Sequence, residues 1–296
     1  MLIRHLDFFV TLAEERHFGR AADLCGVTQP ALSLALRKLE EDLGVTLILR
    51  GQRFMGLTAE GERVLIWGRR ILADYGDLRA ALDGRRKGGL TGALRLGVLS
   101  AAAPLVPALS ARFEARNPLA RVSISQLAPE AILEGLRGLA LEGGLTRAPE
   151  EEAEGLVWTP LWREAPLFAC RKDHPFASGL AHGWSDAASQ PLCATEETAR
   201  REFAPRKIRA AVVCSGLDGV LAHLREGLWC AVVPEAFRHL LGAEDEILLH
   251  PLDEESAAPS LGLLTAAREP PSPMAQALLD CVAALREEWT QAAPSA

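Results

Sequence analysis

Residues 17–58 read HFGRAADLCGVTQPALSLALRKLEEDLGVTLILRGQRFMGLT, and this stretch organises the rest of the chain. Its pattern predicts a short helix, a tight turn, a longer helix and a two-stranded hairpin. Ala21, Ala22 and Cys25 fall on one face of the short helix. Gly26 stands where the turn needs a positive φ, and Val27 where the corner needs an apolar plug. Thr28 has the side chain of an N-cap, and Pro30 lies in the first turn, where a missing N–H costs nothing. Leu32, Ala35, Leu36, Leu39 and Leu43 keep a helical period that Gly44 ends. LILR (47–50) and RFMGLT (53–58) form the strands of a wing, with Arg50 and Arg53 flanking a turn at Gly51.

The apolar face of the longer helix leaves Gln29, Pro30, Ser33, Leu34 and Arg37 on the opposite side, with Thr28 and Lys38 at the flanks. In a helix-turn-helix this face, toward the helix N-terminus, enters the major groove. Gln29 can make a bidentate contact to adenine, Ser33 can bond a base or a phosphate, and Arg37 can reach guanine or the backbone. Arg50 and Arg53 on a hairpin suit phosphate contacts, which position without reading sequence. An amphipathic helix alone would equally fit a small bundle with no nucleic acid. The ordered set of small residue, glycine turn, cap, proline, polar face and basic hairpin favours DNA.

Residues 6–61 resemble the N-terminal domain of the LysR-type transcriptional regulators. The resemblance rests on LDFFVTLAEERHFGRAA (6–22), TQPALS (28–33), LRKLEEDLGVTLILR (36–50) and LTAEG (57–61). It departs at Leu34 and Ala35, where family members often carry a long polar pair. With Leu34 outward, readout leans on thymine methyls, Gln29 and DNA shape. The resemblance implies a linker helix paired antiparallel with a second copy, a homodimer or homotetramer, and a pseudo-palindromic double-stranded site. It also implies a small-molecule effector and RNA polymerase as a further partner.

The chain has 296 residues and is 49% hydrophobic, enough to bury the cores of two or more domains. No stretch approaches the ~20 apolar residues of a membrane span, and Arg4, His5 and Asp7 argue against a secretory leader, so a cytoplasmic protein is expected. Residues 1–90 hold 14 Lys+Arg against 12 Asp+Glu, a net of +2, and the remainder holds 18 against 27, a net of −9. The acidic bulk therefore keeps the C-terminal part off DNA, and the faintly basic head needs oligomerisation to gain affinity. Six cysteines lack C-x-x-C pairing or metal-ligand spacing and read as small buried hydrophobes; a sensing pair of Cys214 with Cys230, which the resemblance raises, is the weaker reading. No metal and no cofactor are expected.

Residues 2–16 form a scaffolding helix burying Leu6, Phe9, Val10 and Ala13. Thr58 caps a long helix to about Gly84, whose Val64, Gly68, Ile71, Tyr75, Leu78 and Leu82 form a dimerisation seam. Arg85 to Gly92 is a hinge. From Ala93 the chain alternates strand and helix, with LALEGGLT (139–146) as the third strand, which implies a parallel sheet with helices on both faces. The fold class is α/β: a winged helix-turn-helix (1–58), a linker helix and hinge (59–90), and a two-lobed effector domain (91–296) that looks like periplasmic binding proteins. Lobe I takes about 91–161 and 266–296, and lobe II about 162–265.

Ligands in such sheets sit outside the strand C-termini. That rule selects Ser100, Ala101 and Ala128 in one lobe and Thr195, Ser215 and Gly216 in the other. Hydroxyls and helix N-termini suit a small carboxylate or other anion, although each hydroxyl taken alone reads better as an ordinary helix cap. No Arg or Lys is placed by the pattern to pair a carboxylate. The chain shows no G-x-S-x-G, no phosphate loop and no paired histidines, so no catalytic residue is assigned. The rivals are a solute-binding module and an enzyme carrying a DNA-binding head.

Overall fold

The structure is a computed structural model that describes residues 2–49, 54–87, 89–149, 153–163, 165–178, 183–252 and 260–292. The chain divides into two units, Met1–Thr91 with Gly138–Ala140, and the remaining residues.

The first unit holds α1 (Leu2–Glu15), α2 (Phe18–Leu24), α3 (Gln29–Leu43) and α4 (Ala59–Lys87). Phe9, Leu12, Ala21, Leu32, Leu39 and Leu47 are fully buried in one core, with Ala13, Cys25, Val27 and Ala35 packed half-buried against it. Gly26 takes φ +64°, so α3 can leave α2 at the required angle. Leu43 departs from the expected core face and is exposed, because the last turn of α3 runs past the domain's edge. Two polar devices fix what packing leaves loose. The Arg20 guanidinium donates to the Glu15 carbonyl and carboxylate, tying α2 to the end of α1. Glu40 on α3 accepts from the Leu47 and Ile48 amides at 2.7 and 3.3 Å, which anchors the hairpin. The hairpin closes through an antiparallel bridge between Ile48 and Leu57 and a 3.0 Å bond from the Leu49 amide to the Gly56 carbonyl. Its tip, with Arg50, Gly51 and Arg53, lies outside the described residues.

The second unit carries ten strands: β1 (Gly92–Val98), β2 (Ala120–Gln126), β3 (Gly143–Arg147), β4 (Leu156–Arg163), β5 (Pro166–Arg171), β6 (Leu192–Thr195), β7 (Val212–Cys214), β8 (Cys230–Pro234), β9 (Ile247–Pro251) and β10 (Ser260–Ala266). They form two five-stranded sheets ordered β2-β1-β3-β10-β4 and β7-β6-β8-β5-β9. The helices are α5 (Val106–Arg116), α6 (Pro129–Arg137), α7 (Trp184–Ala188), the single turn α8 (Glu196–Thr198), α9 (Leu217–Arg225) and α10 (Pro273–Ala292).

Three corrections follow. The sheets are mixed rather than parallel: β1 pairs parallel with β2 and β3, but β10 runs antiparallel to β3 and β4. In the second sheet β5 is likewise antiparallel to β8 and β9. The cause is that the chain crosses between sheets twice, from β4 to β5 and from β9 to β10, and the crossing strands enter against the local direction. Because β10 pairs inside the first sheet, lobe II ends before Ser260 and not at 265. The third strand begins at Gly143, and Leu139 to Glu142 form the approach to it rather than its first half. Glu142 bonds the Arg95 amide at 2.7 Å and pins that approach to β1. Gly143 and Gly144 lie where a Cβ would collide with Leu278 of α10 on one face and Ile132 of α6 on the other. The two glycines let both helices close on β3, whose C-terminal end carries Thr146 and Arg147.

Candidate functional site

On α3 the Thr28 hydroxyl accepts from the Ala31 amide at 3.4 Å, so this residue serves as the cap. Gln29, Pro30, Leu34 and Arg37 are exposed on one side of the helix and Ser33 is half-buried beside them. Leu34 is 69% exposed, so burial does not account for an apolar side chain there. Lys38 belongs to a different group. Its ammonium sits 3.1 Å from Asp42 and 3.7 Å from Glu41, and the hydrogen bond to Asp42 raises its pKa. Its charge is engaged on the acidic C-terminal half of α3, a setting that Gln29 does not share.

α4 packs its Leu65 and Gly68 side on α1, Gly68 facing Leu6 and Val10. Val64 is half-buried against this same core, so it does not belong to the free face. That face is made by Trp67, Ile71, Tyr75, Leu78 and Leu82, all exposed and spaced by steps of four, four, three and four. Ile66 extends it. The sequence reading missed Trp67 because α1 covers the Val64/Gly68 stripe, a tertiary fact that the helical period does not carry.

In the second unit the strand ends converge as the topology rule requires. A cavity of about 290 Å³ is lined by Ser100, Gln126 and Ala128 from one lobe and by Thr195, Arg200 and Ser215 from the other. Ala101 lines an adjoining small cavity of about 30 Å³ with Thr195, Glu197 and Leu217. Gly216 reaches the same mouth, since a Cβ there would stand 3.6 Å from the Gln126 amide nitrogen. The hydroxyls differ in role. Thr195 caps α8, its Oγ1 accepting from the Thr198 amide at 3.1 Å, as the cap reading has it. Ser100 is 8% exposed and its Oγ has no hydrogen-bond partner, so capping does not account for it.

The structure adds the cation that the sequence reading did not find. Arg147, at the C-terminal end of β3, donates its Nε to Glu197 of the other lobe at 2.6 Å, and the two side chains are only 14% and 11% exposed. The signal was present: residues after the first and second strands were selected, and the same rule applied to the third strand leads to Arg147.

The thiols are poor nucleophiles. Burial pushes Cys193 and Cys230 up to about 12 and Cys170 up to about 11, and raises Cys25, Cys214 and Cys281 as well. His174 lies 3.5 Å from the Cys230 sulfur, but burial lowers its pKa, so it offers no imidazolium to stabilise a thiolate. Among the described residues no cluster of three or more His, Cys, Asp or Glu could hold a metal, and no helix is long and apolar enough to cross a membrane.

Two family models match the chain: "Bacterial regulatory helix-turn-helix protein, lysR family" over residues 3–62 and "LysR substrate binding domain" over residues 87–286. The hydrogen peroxide-inducible genes activator of Pectobacterium carotovorum is 31% identical over 198 residues, 67% of this chain and 65% of that protein. The chain thus matches less than two thirds of the length of that relative. The SDS degradation transcriptional activation protein of a Pseudomonas species is 33% identical over 271 residues, covering 88% of this chain and 84% of that one. Full-length OxyR from Pseudomonas aeruginosa superposes with a TM-score of 0.72 at 24% identity, over 95% of this chain and 94% of that one, and so shares the fold. With both models together spanning most of its length, the chain belongs to the LysR family of bacterial helix-turn-helix regulators.

Proposed function

We propose that this chain is a sequence-specific DNA-binding transcriptional regulator, acting as a two-fold homo-oligomer, whose state is set by a small anionic molecule between its two lobes. The observation that carries the reading is the outward face of α3. Gln29, Ser33, Leu34 and Arg37 share one side of a capped helix whose other side is locked into the core. No packing role explains that face, and its chemistry fits base edges and a thymine methyl. The bare apolar stripe on α4 supports a helix-paired dimer, with a tetramer as the larger assembly, and a two-fold pair of heads calls for a pseudo-palindromic duplex. RNA polymerase is the partner through which such a regulator would act, and the cytoplasm is where it would meet both.

The effector reading rests on the cleft. Ser100, Gln126, Thr195 and Ser215 offer polar contacts, and Arg147 and Arg200 offer positive charge. Relatives are named as activators of hydrogen peroxide-inducible genes. For this chain a reversibly bound ligand fits better than thiol oxidation, because burial raises all six thiols above their ordinary value. Regulation without catalysis is the matching reading of activity. Ligand-driven closure would shift the arrangement of reading heads by a coupling of ~1–3 kcal/mol.

Fluorescence anisotropy on the gene's own upstream region and on random duplex tests the reading. The wild type should prefer its own region, and Gln29→Ala should lose about 1–3 kcal/mol of that preference while binding random duplex as before. Equal affinity of the wild type for both duplexes at every salt concentration removes the sequence-specific reading.

A further inference from the structure

A separate groove of about 740 Å³ adjoins the interlobe cleft, sharing Pro129 and Arg200 with it. Its walls carry four arginines from different elements: Arg137 at the end of α6, Arg147 at the end of β3, and Arg200 and Arg201 on the wide turn after α8. The first two come from lobe I and the last two from lobe II. Among the described lining residues Glu130 is the one carboxylate, 3.8 Å from Arg200, with both side chains more than half exposed. Glu197 holds the Nε edge of Arg147. Thr146 also lines the groove; it is 3% exposed, and its Oγ1 has no hydrogen-bond partner.

We propose that this groove is a second ligand site, distinct from the Ser100–Ser215 chamber, and that it binds a multiply charged phosphate-type anion. Guanidinium forks match phosphate oxygens in pairs, and forks arriving from three elements suit a tetrahedral group better than a single planar carboxylate. Arginines of both lobes reach the groove, so an anion held among them would link the lobes. A ligand oxygen gives the enclosed Thr146 hydroxyl the partner it otherwise lacks. The acidic balance of the unit as a whole makes this concentration of arginines a local feature.

Pyrophosphate titrated into the full-length protein by calorimetry at physiological ionic strength tests the site. The expected result is saturable binding, weakened at least tenfold by Arg137→Gln combined with Arg201→Gln and severalfold by Thr146→Val. Ser215→Ala, in the neighbouring chamber, should leave it unchanged. Both arginines are exposed, so the double variant should keep the wild-type thermal melt, which is measured alongside. Absence of saturable binding, indifference to the arginine substitutions, or an equal loss in Ser215→Ala each overturns the proposal. Citrate binding more tightly than pyrophosphate overturns the phosphate assignment. None of these outcomes bears on DNA preference, so this site and the regulator reading stand or fall separately.

Discussion

The two units place their chemistry in opposite ways. The first holds its candidate groups on convex, solvent-facing surfaces: Leu34 is 69% exposed on α3, and Trp67 62% exposed on α4. The second turns its groups inward, with Ser100 at 8% and the Arg147–Glu197 pair at 14% and 11%. A convex face costs the unit's own stability little and leaves its binding partner to supply the burial. An enclosed polar group must be satisfied from within or by a ligand, so in the second unit binding and stability share the same atoms.

The largest test of that contrast is on α4. Ile71→Asp with Leu78→Asp should convert the assembly to monomer, read by sedimentation velocity. Because both positions are exposed, the unfolding free energy of the monomer should move by only about 0.5 kcal/mol per site. Intact assembly after this double substitution would remove the face from dimerisation, and a collapsed fold would remove the idea that the face is spare.

Two ion pairs give the next comparison. Arg147→Ala strands the Glu197 carboxylate in a nearly closed setting, and breaking a buried pair costs ~3–5 kcal/mol, less with the residual solvent access here. A loss of about 2–3 kcal/mol in denaturant unfolding is expected, with partial recovery in the Arg147→Ala, Glu197→Ala double variant. Arg20→Ala in the first unit breaks a pair whose arginine is 63% exposed and should cost well under about 1 kcal/mol from the pair itself. Similar losses at the two sites would erase the distinction between convex and enclosed chemistry.

Thr28→Ala sits between these in meaning. The hydroxyl is exposed yet satisfies an orphan amide of α3, so its removal should cost about 1 kcal/mol in thermal unfolding. The effect should fall in the first unit, leaving pyrophosphate uptake by the second unchanged. No loss at all would mean that water caps α3 as well as the threonine does.

The contrast also explains what the sequence could disclose. Along α2 and α3 the relevant neighbours lie three or four residues apart, so Ala21, Gly26, Thr28 and Leu32 were placed by local pattern alone. The hydroxyls of the cleft followed from the rule about strand ends, which needs only strand order. What escaped depends on contacts distant in sequence. Trp67 faces outward because α1 occupies the adjacent stripe. Arg147 meets Glu197 across 50 residues of chain. The antiparallel strands belong to this class too, since β10 inserts between β3 and β4 only after the chain has built the other sheet.

The smallest expected effect concerns acid, and it falls on two surface pairs of lobe II. A hydrogen bond from the Arg171 guanidinium lowers the Asp173 carboxyl from 3.8 to about 2, and Arg225 lowers Asp245 in the same direction. A carboxyl whose folded pKa is depressed favours the folded state above its unfolded pKa, and that contribution fades as pH falls toward the folded value. Stability tied to Asp173 should therefore be fully present at pH 5 and lost between about pH 4 and pH 2. Both arginines are on the surface of the lobe, so solvent and salt screen the pairs and the slope should be shallow. Asp173→Asn with Asp245→Asn should flatten the pH dependence of the second unit's thermal midpoint in that window and leave it unchanged near neutrality. A slope that survives the double substitution would mean that the Arg171–Asp173 and Arg225–Asp245 pairs do not carry the acid sensitivity of the unit.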